Sequence, residues 1–258
     1  MPVAEITVPI LWGIAAVSVL AGAFGAMLGL GGGIILVPLL IAVFSVETEA
    51  ARFASLVAVC VTSLAGSLVY LREGVTDLVY AGYLQLPTIV GAVAGALIGS
   101  RLDATVVKVL FAALLLFVAW RLLRAKALPS ARGANRGRWM AAGGACLGAG
   151  LLSSLLGVGG GLIFVPVLSL LLARPPRVAA ATSTYLIGLT AAASALIYAR
   201  AGQMDANIAV PAALGILVGA QVGARVSRFV PGLLLRRVFA AVMLVNAFLL
   251  IQTVLRNG

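Results

Sequence analysis

Two long stretches of the chain carry no charged side chain, at residues 6–46 and 139–173. As continuous helices they would measure roughly 60 and 50 Å, whereas one crossing of the hydrocarbon core needs about 30 Å. Each contains a triple glycine near its middle, and glycine is the least helix-favouring residue apart from proline. The pattern predicts that each stretch breaks at the glycines and folds back, as a full hairpin or as a re-entrant segment.

Three ordinary apolar spans follow each broken stretch. The first three lie at 50–71, 79–100 and 107–123, and the second three at 179–199, 207–226 and 236–254. The predicted fold class is therefore an all-α polytopic membrane protein with eight to ten membrane segments.

The two groups of segments belong to an internal repeat. Residues 29–40 read GLGGGIILVPLL and residues 157–168 read GVGGGLIFVPVL, with eight of twelve positions identical at an offset of 128. The same offset pairs Ser55 with Ser183, Tyr70 with Tyr198, and Asp77 with Asp205. We predict a first transmembrane repeat at 6–124, a basic cytoplasmic linker at 125–138 and a second transmembrane repeat at 139–255.

Composition and charge agree with a location in the lipid bilayer. Hydrophobic residues make up 63% of the chain and charged residues 10%, where a soluble domain has about 25% charged. The net charge of +11 is concentrated in short connectors at 121–138 and 225–237. Positive charge placed there sets membrane orientation, so no nucleic-acid partner is predicted.

Loop charge also favours one topology. If each broken stretch returns to its starting side, the two repeats are inverted and the Lys and Arg residues divide thirteen to five between the two sides. If each stretch crosses once, the repeats are parallel and the division is nine to nine. The positive-inside rule therefore predicts inverted repeats with both termini on the non-cytoplasmic side.

The glycine breaks are candidate anion sites. Pro38 and Pro166 each follow a triple glycine by five positions and are predicted to mark helix starts. Unpaired N–H groups at a helix N-terminus bind anions without a charged side chain, and two breaks would share one site. The alternative is that the glycines serve only tight turning or close packing. The candidate residues are Gly31, Gly32, Gly33, Gly159, Gly160 and Gly161.

Small hydroxyl side chains accompany the breaks. Thr182, Ser183 and Thr184 open the span after the second break, and Ser55 has the matching place in the first repeat. They could donate hydrogen bonds to an oxyanion, or else bond the i−4 carbonyl or a neighbouring helix.

Other polar and glycine positions receive structural interpretations. The glycine ladders within 91–99 and 215–223 indicate close helix packing, and Asp77 and Asp205 are expected to be helix N-caps. Glu47, Glu49 and Arg52 are expected to be solvated loop charges near a membrane face. No acidic residue lies deep in a span, and no nucleophile–base pair or Walker motif is present, so neither an enzyme, a cofactor nor a metal site is predicted.

The doubled motif G-x-G-G-G-x-x-x-V-P, at 29–38 and 157–166, resembles that of the sulfite exporter TauE/SafE family, also described as toluene-sulfonate uptake permeases. The resemblance covers roughly residues 10–255. It implies bacterial-type inner membrane proteins that move sulfite, sulfoacetate or other organosulfonates, often outward. Thr182 and Ser183 match the family's polar span start well, whereas Ala54-Ser55-Leu56 departs from it in the first repeat.

We therefore expect a transporter that exports a small sulfur oxyanion bound at the glycine breaks. An anion channel, a non-transporting membrane scaffold or assembly partner, and a symporter coupled through Glu47 or Glu49 remain as alternatives. An oligomer is left open.

Overall fold

The computed structural model describes residues 8–124, 136–227, 229–230 and 232–257. Every regular element within these ranges is helical. The first repeat contains α1 (Val8–Leu28), α2 (Gly33–Ala42), α3 (Thr48–Arg72), α4 (Leu78–Gly99) and α5 (Ala104–Arg124). The second contains α6 (Arg136–Leu156), α7 (Gly161–Pro166) with a π-helical continuation at Val167–Leu171, α8 (Pro176–Arg200), α9 (Ala206–Val226) and α10 (Gly232–Asn257).

The prediction of an all-α polytopic membrane protein is confirmed. Among the described helices, α1, α3, α4, α6, α8 and α9 are long and apolar enough to cross a membrane, and shorter apolar stretches lie in α2, α5 and α10. Of the predicted basic linker, residues 125–135 lie outside the described residues, and residues 136–138 form the start of α6.

Left-handed glycines interrupt both long apolar stretches. Their φ angles are 71°, 81° and 78° at Gly29, Gly31 and Gly32, and 76°, 87° and 81° at Gly157, Gly159 and Gly160. Glycine adopts such angles without the steric cost that a Cβ would bring. The helix after each break begins at the next glycine along, which is Gly33 in α2 and Gly161 in α7.

The prediction that Pro38 and Pro166 mark helix starts is wrong. Both prolines lie inside helix, because the left-handed glycines already allow a helix to begin five residues earlier. At those interior positions the missing proline N–H costs one helical hydrogen bond, and the ring crowds the carbonyl four residues back. In the second repeat the helix widens to a π-helix directly after Pro166.

The first broken stretch folds back on itself. A Cβ on Gly25 would collide with the backbone of Gly32, and Gly13 lies beside the ring of Phe44. Because α2 has 10 residues, it is about 15 Å long and covers half of the ~30 Å core. In the second stretch Gly160 packs on Ser153, which aligns with Gly25, so the two breaks share one geometry.

The two repeats exchange packing partners. Helix α1 packs along α9 and α6 packs along α4, while α3 pairs with α8 and α5 with α10. The glycine ladders lie at the contacts of α1 with α9 and of α4 with α6. A Cβ on Gly95 would collide with the Leu151 carbonyl, and a Cβ on Gly219 with the Val19 carbonyl. The prediction that the ladders serve close helix packing is confirmed.

Helices α3 and α8 run antiparallel through the centre. Arg52 near the start of α3 contacts Tyr198 near the end of α8, and Glu73 after α3 contacts Arg177 near the start of α8. Halfway along, the Ser63 hydroxyl donates to the Thr184 carbonyl at 2.6 Å. We refer to the two ends of the molecule as the Arg52 end and the Glu73 end.

Candidate anion site at the crossed glycine breaks

The two glycine breaks meet in the middle of the molecule. Gly33, at the start of α2, lies against the Val158 carbonyl, and Gly161, at the start of α7, lies against the carbonyl of Gly29. The Val59 side chain lies next to both Gly31 and Gly159, and all the candidate glycines are buried. The structure therefore brings together two helix starts, at Gly33 and Gly161, five residues before the predicted starts at Pro38 and Pro166.

The serine that each repeat contributes contacts the break of the other repeat. Ser55 Oγ donates to the Gly157 carbonyl at 2.7 Å, and Ser183 Oγ donates to the Gly29 carbonyl at 2.6 Å. Both serines are fully buried. Their hydroxyl protons are used by these carbonyls, so either serine has to release its carbonyl before it can donate to an anion.

The two candidate threonines have different partners. Thr184 Oγ1 donates to the Ala180 carbonyl at 2.9 Å, which is the i−4 bond common for threonine in membrane helices. Thr182 Oγ1 accepts a hydrogen bond from the Asp77 amide at 3.0 Å and so ties α8 to the loop before α4. Of the four candidate hydroxyls, only Ser55 and Ser183 bond to the glycine breaks.

A small cavity lies beside the second break, and none of its lining residues belongs to the first break. Beside Gly160 it measures about 10 Å³ and is lined by Ser153, Val158 and neighbouring apolar side chains. A volume of roughly 10–15 Å³ holds a single water molecule. This cavity is therefore too small for an oxyanion.

A much larger cavity opens at the Arg52 end. It has a volume of about 460 Å³ and lies between the end of α2 and the starts of α3 and α5. Its polar lining includes Ser45, Glu47, Thr48, Lys108 and Thr253. A small anion fits this space without rearrangement of the helices.

The expected aspartate caps are present. Asp77 accepts from the Tyr80 amide at 3.3 Å and Asp205 from the Asn207 amide at 2.9 Å, which confirms both as N-caps. In the loop before α5, Asp103 accepts from the Thr105 amide at 2.7 Å, and this bond lowers the pKa of the Asp103 carboxyl.

Two ion pairs close the Glu73 end. Arg174 Nη2 lies 2.9 Å from Asp77 Oδ2, and Arg177 Nη2 lies 2.7 Å from Glu73 Oε2. Together they join the loop between α3 and α4 to the segment that leads into α8. The repeat places Val46 and Glu49 at the positions of the two arginines, so the Arg52 end has no counterpart of these pairs.

Arg52 is the polar residue that sequence reasoning misplaced. We expected a solvated loop charge beside Glu47 and Glu49; those two are exposed, but Arg52 is completely buried. Its Nη1 donates to the carbonyls of Gly99 at 2.9 Å and Leu155 at 3.2 Å and to the Tyr198 hydroxyl at 3.3 Å.

The burial of Arg52 follows from how the helices meet. Arg52 lies in the second turn of α3, where the C-termini of α4 and α6 cover it with their partly negative carbonyls. The sequence did contain one indication of this, because Arg52 falls inside the predicted span 50–71. A charged residue within a membrane span indicates a functional role by default.

Six described helices of membrane-spanning length, two paired glycine breaks and a buried arginine are features of a polytopic membrane protein. Residues 14–250 match the family model described as Sulfite exporter TauE/SafE, and the chain belongs to this family. It is 27% identical over 234 residues to the probable membrane transporter protein YunE of Bacillus subtilis (strain 168), across 81% of this chain and 85% of that protein. No solved structure matches.

Proposed function

We propose that the protein exports a small sulfur oxyanion, such as sulfite, sulfoacetate or another organosulfonate, across the cell inner membrane. The observation that carries the proposal is the meeting of two buried helix starts, Gly33 and Gly161, each facing the opposite break. Membership of the sulfite exporter family supports a sulfur oxyanion as the substrate.

The proposed site uses backbone and hydroxyl donors. The amides of Gly33 and Gly161, the first residues of α2 and α7, have no acceptor within their own helices, and the partial positive charge of a helix start favours an anion there. The third amide of each helix, of Ile35 and Ile163, already donates to the carbonyl of Gly32 or Gly160. An oxyanion between the breaks would take the place of the Gly29 and Gly157 carbonyls as acceptor for Ser183 and Ser55. The site consists of Gly31, Gly32, Gly33, Ser55, Gly159, Gly160, Gly161 and Ser183, with Thr182 and Thr184 flanking it.

The two halves act as inverted repeats in this proposal. Support comes from the antiparallel course of α3 and α8, which occupy equivalent positions in the two repeats, and from the exchange of packing partners. The larger group of basic residues, thirteen of eighteen, then lies on the side of the Glu73 end. That end is assigned to the cytoplasm, and both termini and the large cavity to the other side.

Transport requires the breaks to part, first toward one end and then toward the other. The ion pairs at the Glu73 end and the cavity at the Arg52 end fit a conformation accessible from the Arg52 end. Exchange between two such conformations is the mode of transport typical of inverted repeats.

Flux of sulfite and sulfoacetate into proteoliposomes tests the proposal. We expect saturable uptake above that of protein-free vesicles, with no unitary currents in planar bilayers. Large unitary currents would assign the protein to the channels. The absence of any oxyanion flux from correctly folded protein would favour a scaffold or assembly role.

A further inference from the structure

One edge of the buried Arg52 guanidinium makes no hydrogen bond. Among the described residues neither Nε nor Nη2 has a partner, and all three hydrogen bonds of the side chain come from Nη1. Nε and Nη2 lie on the same edge of the planar group. That edge donates two parallel hydrogen bonds to two oxygens of one carboxylate, phosphate or similar oxyanion.

The charge of Arg52 is only partly compensated. The two ion pairs of the described residues use Arg174 and Arg177, not Arg52. Helix C-terminal carbonyls and the face of the Tyr198 ring, 5.0 Å from Cζ, offset some of the charge. A buried guanidinium with two free donors is costly inside a membrane protein, and a bound anion would remove that cost.

The repeat shows that this helix junction forms without an arginine bonded to its tyrosine. Tyr198 Oη donates to the Ser154 carbonyl at 3.0 Å at the Arg52 end, and Tyr70 Oη donates to the Ala26 carbonyl at 2.9 Å at the Glu73 end. These are aligned residues making the same bond in the two repeats. The tyrosine therefore joins two helix ends in both halves.

Only the Arg52 end adds an arginine to that junction. The position aligned with Arg52 is Ala180, and Tyr70 has the neutral Ser227 hydroxyl at 3.5 Å instead. Since the Tyr70 junction forms without an arginine hydrogen-bonded to the tyrosine hydroxyl, packing of the junction does not account for Arg52.

Arg52 contacts the second break and lies one helical turn from the large cavity. Its Cα, Cβ and Cγ pack directly on Gly157, the first left-handed residue of that break. Thr48, one helical turn earlier in α3, lines the 460 Å³ cavity together with Lys108. Arg52 is therefore within one helical turn of a cavity-lining residue and in direct contact with the second break.

We propose that Arg52 binds the transported oxyanion through its Nε and Nη2 edge and selects for anions with two oxygens on one atom. This inference rests on the proposed function and deepens it. A sulfite or sulfonate group accepts a hydrogen bond from each of the two donors with two separate oxygens. Chloride is a single atom and cannot provide two separate acceptors. Arg52 thereby sets substrate selectivity at the Arg52 end.

The test compares the apparent KM for sulfite in proteoliposomes of the native protein with that of Arg52→Gln, Arg52→Lys and the control Arg101→Gln. Arg101 is exposed at the same end, so its variant removes the same charge without touching the buried fork. Loss of a charge-assisted bidentate contact should raise the KM of Arg52→Gln about tenfold to a hundredfold. Arg101→Gln should stay within about twofold, since an exposed charge is screened.

Selectivity separates binding from a structural role. Lysine keeps the positive charge under the helix C-termini but is a point charge without a planar fork. We expect Arg52→Lys to fold, and its preference for sulfite over chloride, measured by competition, to fall about tenfold. A wild-type KM and preference in Arg52→Lys would overturn the proposal, as would failure of both variants to fold.

Sulfite-dependent thermal stabilisation in detergent distinguishes this inference from the transport proposal. Stabilisation of the native protein that Arg52→Lys loses, without flux, would support the oxyanion site and reject transport. Flux by the native protein with an unchanged KM in both Arg52 variants would leave transport standing and reject the role of Arg52.

Discussion

At the scale of single residues, Ser55 and Ser183 fasten each repeat to the break of the other. The left-handed glycines turn the carbonyls of Gly29 and Gly157 out of helical hydrogen bonding, and the serine hydroxyls supply the missing donors. Because these carbonyls are buried, each bond offsets a desolvation cost that no water could meet.

Ser55→Ala is expected to destabilise the folded protein. Removing the hydroxyl leaves the Gly157 carbonyl unsatisfied and should lower the free energy of unfolding by about 1–3 kcal/mol. The matched control is Ser169→Ala, because Ser169 is buried as well but its hydroxyl has no partner among the described residues. Thermal unfolding in detergent should show a lower midpoint for Ser55→Ala and little change for the control. Equal midpoints would contradict a stabilising role of the Ser55 bond.

Residue roles were predictable from the sequence where they depend on local chain geometry. Asp77 and Asp205 precede spans and cap them, as their positions indicate. The burial of Arg52 depends instead on the ends of α4 and α6, which follow it by more than forty and a hundred residues. No local pattern specifies that contact.

At the scale of elements, glycine controls how closely the helices approach. The contacts of α1 with α9 and of α4 with α6 place glycine against the backbone carbonyls of the facing helix. In a lipid bilayer no hydrophobic force drives helices together. Close backbone packing, which glycine allows, then stabilises their association.

Gly95→Ala is expected to weaken the contact between α4 and α6. The added Cβ would collide with the Leu151 backbone, and overpacking of this kind typically costs about 1–3 kcal/mol. Gly82→Ala in the same helix is the control, because its Cβ meets nothing within 4 Å and alanine favours helix by about 1 kcal/mol. The thermal midpoint should fall for Gly95→Ala and hold or rise for Gly82→Ala. The reverse order would argue against ladder packing.

The sequence predicted the breaks better than the helix starts. Three glycines in an uncharged stretch too long for one crossing leave little alternative to a break. The next helix starts at the first glycine whose φ angle is no longer left-handed. That residue is Gly33 in the first repeat and Gly161 in the second, and each lies next to the opposite break. The positions of Pro38 and Pro166 alone predicted helix starts five residues too late in both repeats.

At the scale of the whole molecule, the two ends differ although the repeats match. Ion pairs join the loops at the Glu73 end, and a 460 Å³ cavity opens at the Arg52 end. Between them the two breaks meet beside the Val59 side chain. In the proposed transport route, an anion that moves from one end to the other passes this crossing, and the breaks have to separate to let it through.

The central claim is that the anion path runs between the crossed glycine breaks. The most direct measurement is sulfite flux in proteoliposomes for Gly160→Ala against Gly202→Ala. Both residues have left-handed φ angles, 81° and 78°, so both variants carry similar backbone strain. Only at Gly160 does the added Cβ meet other side chains, those of Phe164 and Ser153.

We expect Gly160→Ala to reduce the flux at least about tenfold. A distorted break should raise the free-energy barrier to anion passage by roughly 1.4 kcal/mol or more. Gly202→Ala should transport at close to the native rate. Size-exclusion chromatography checks that both variants are folded. Equal flux from the two variants would contradict a path through the breaks.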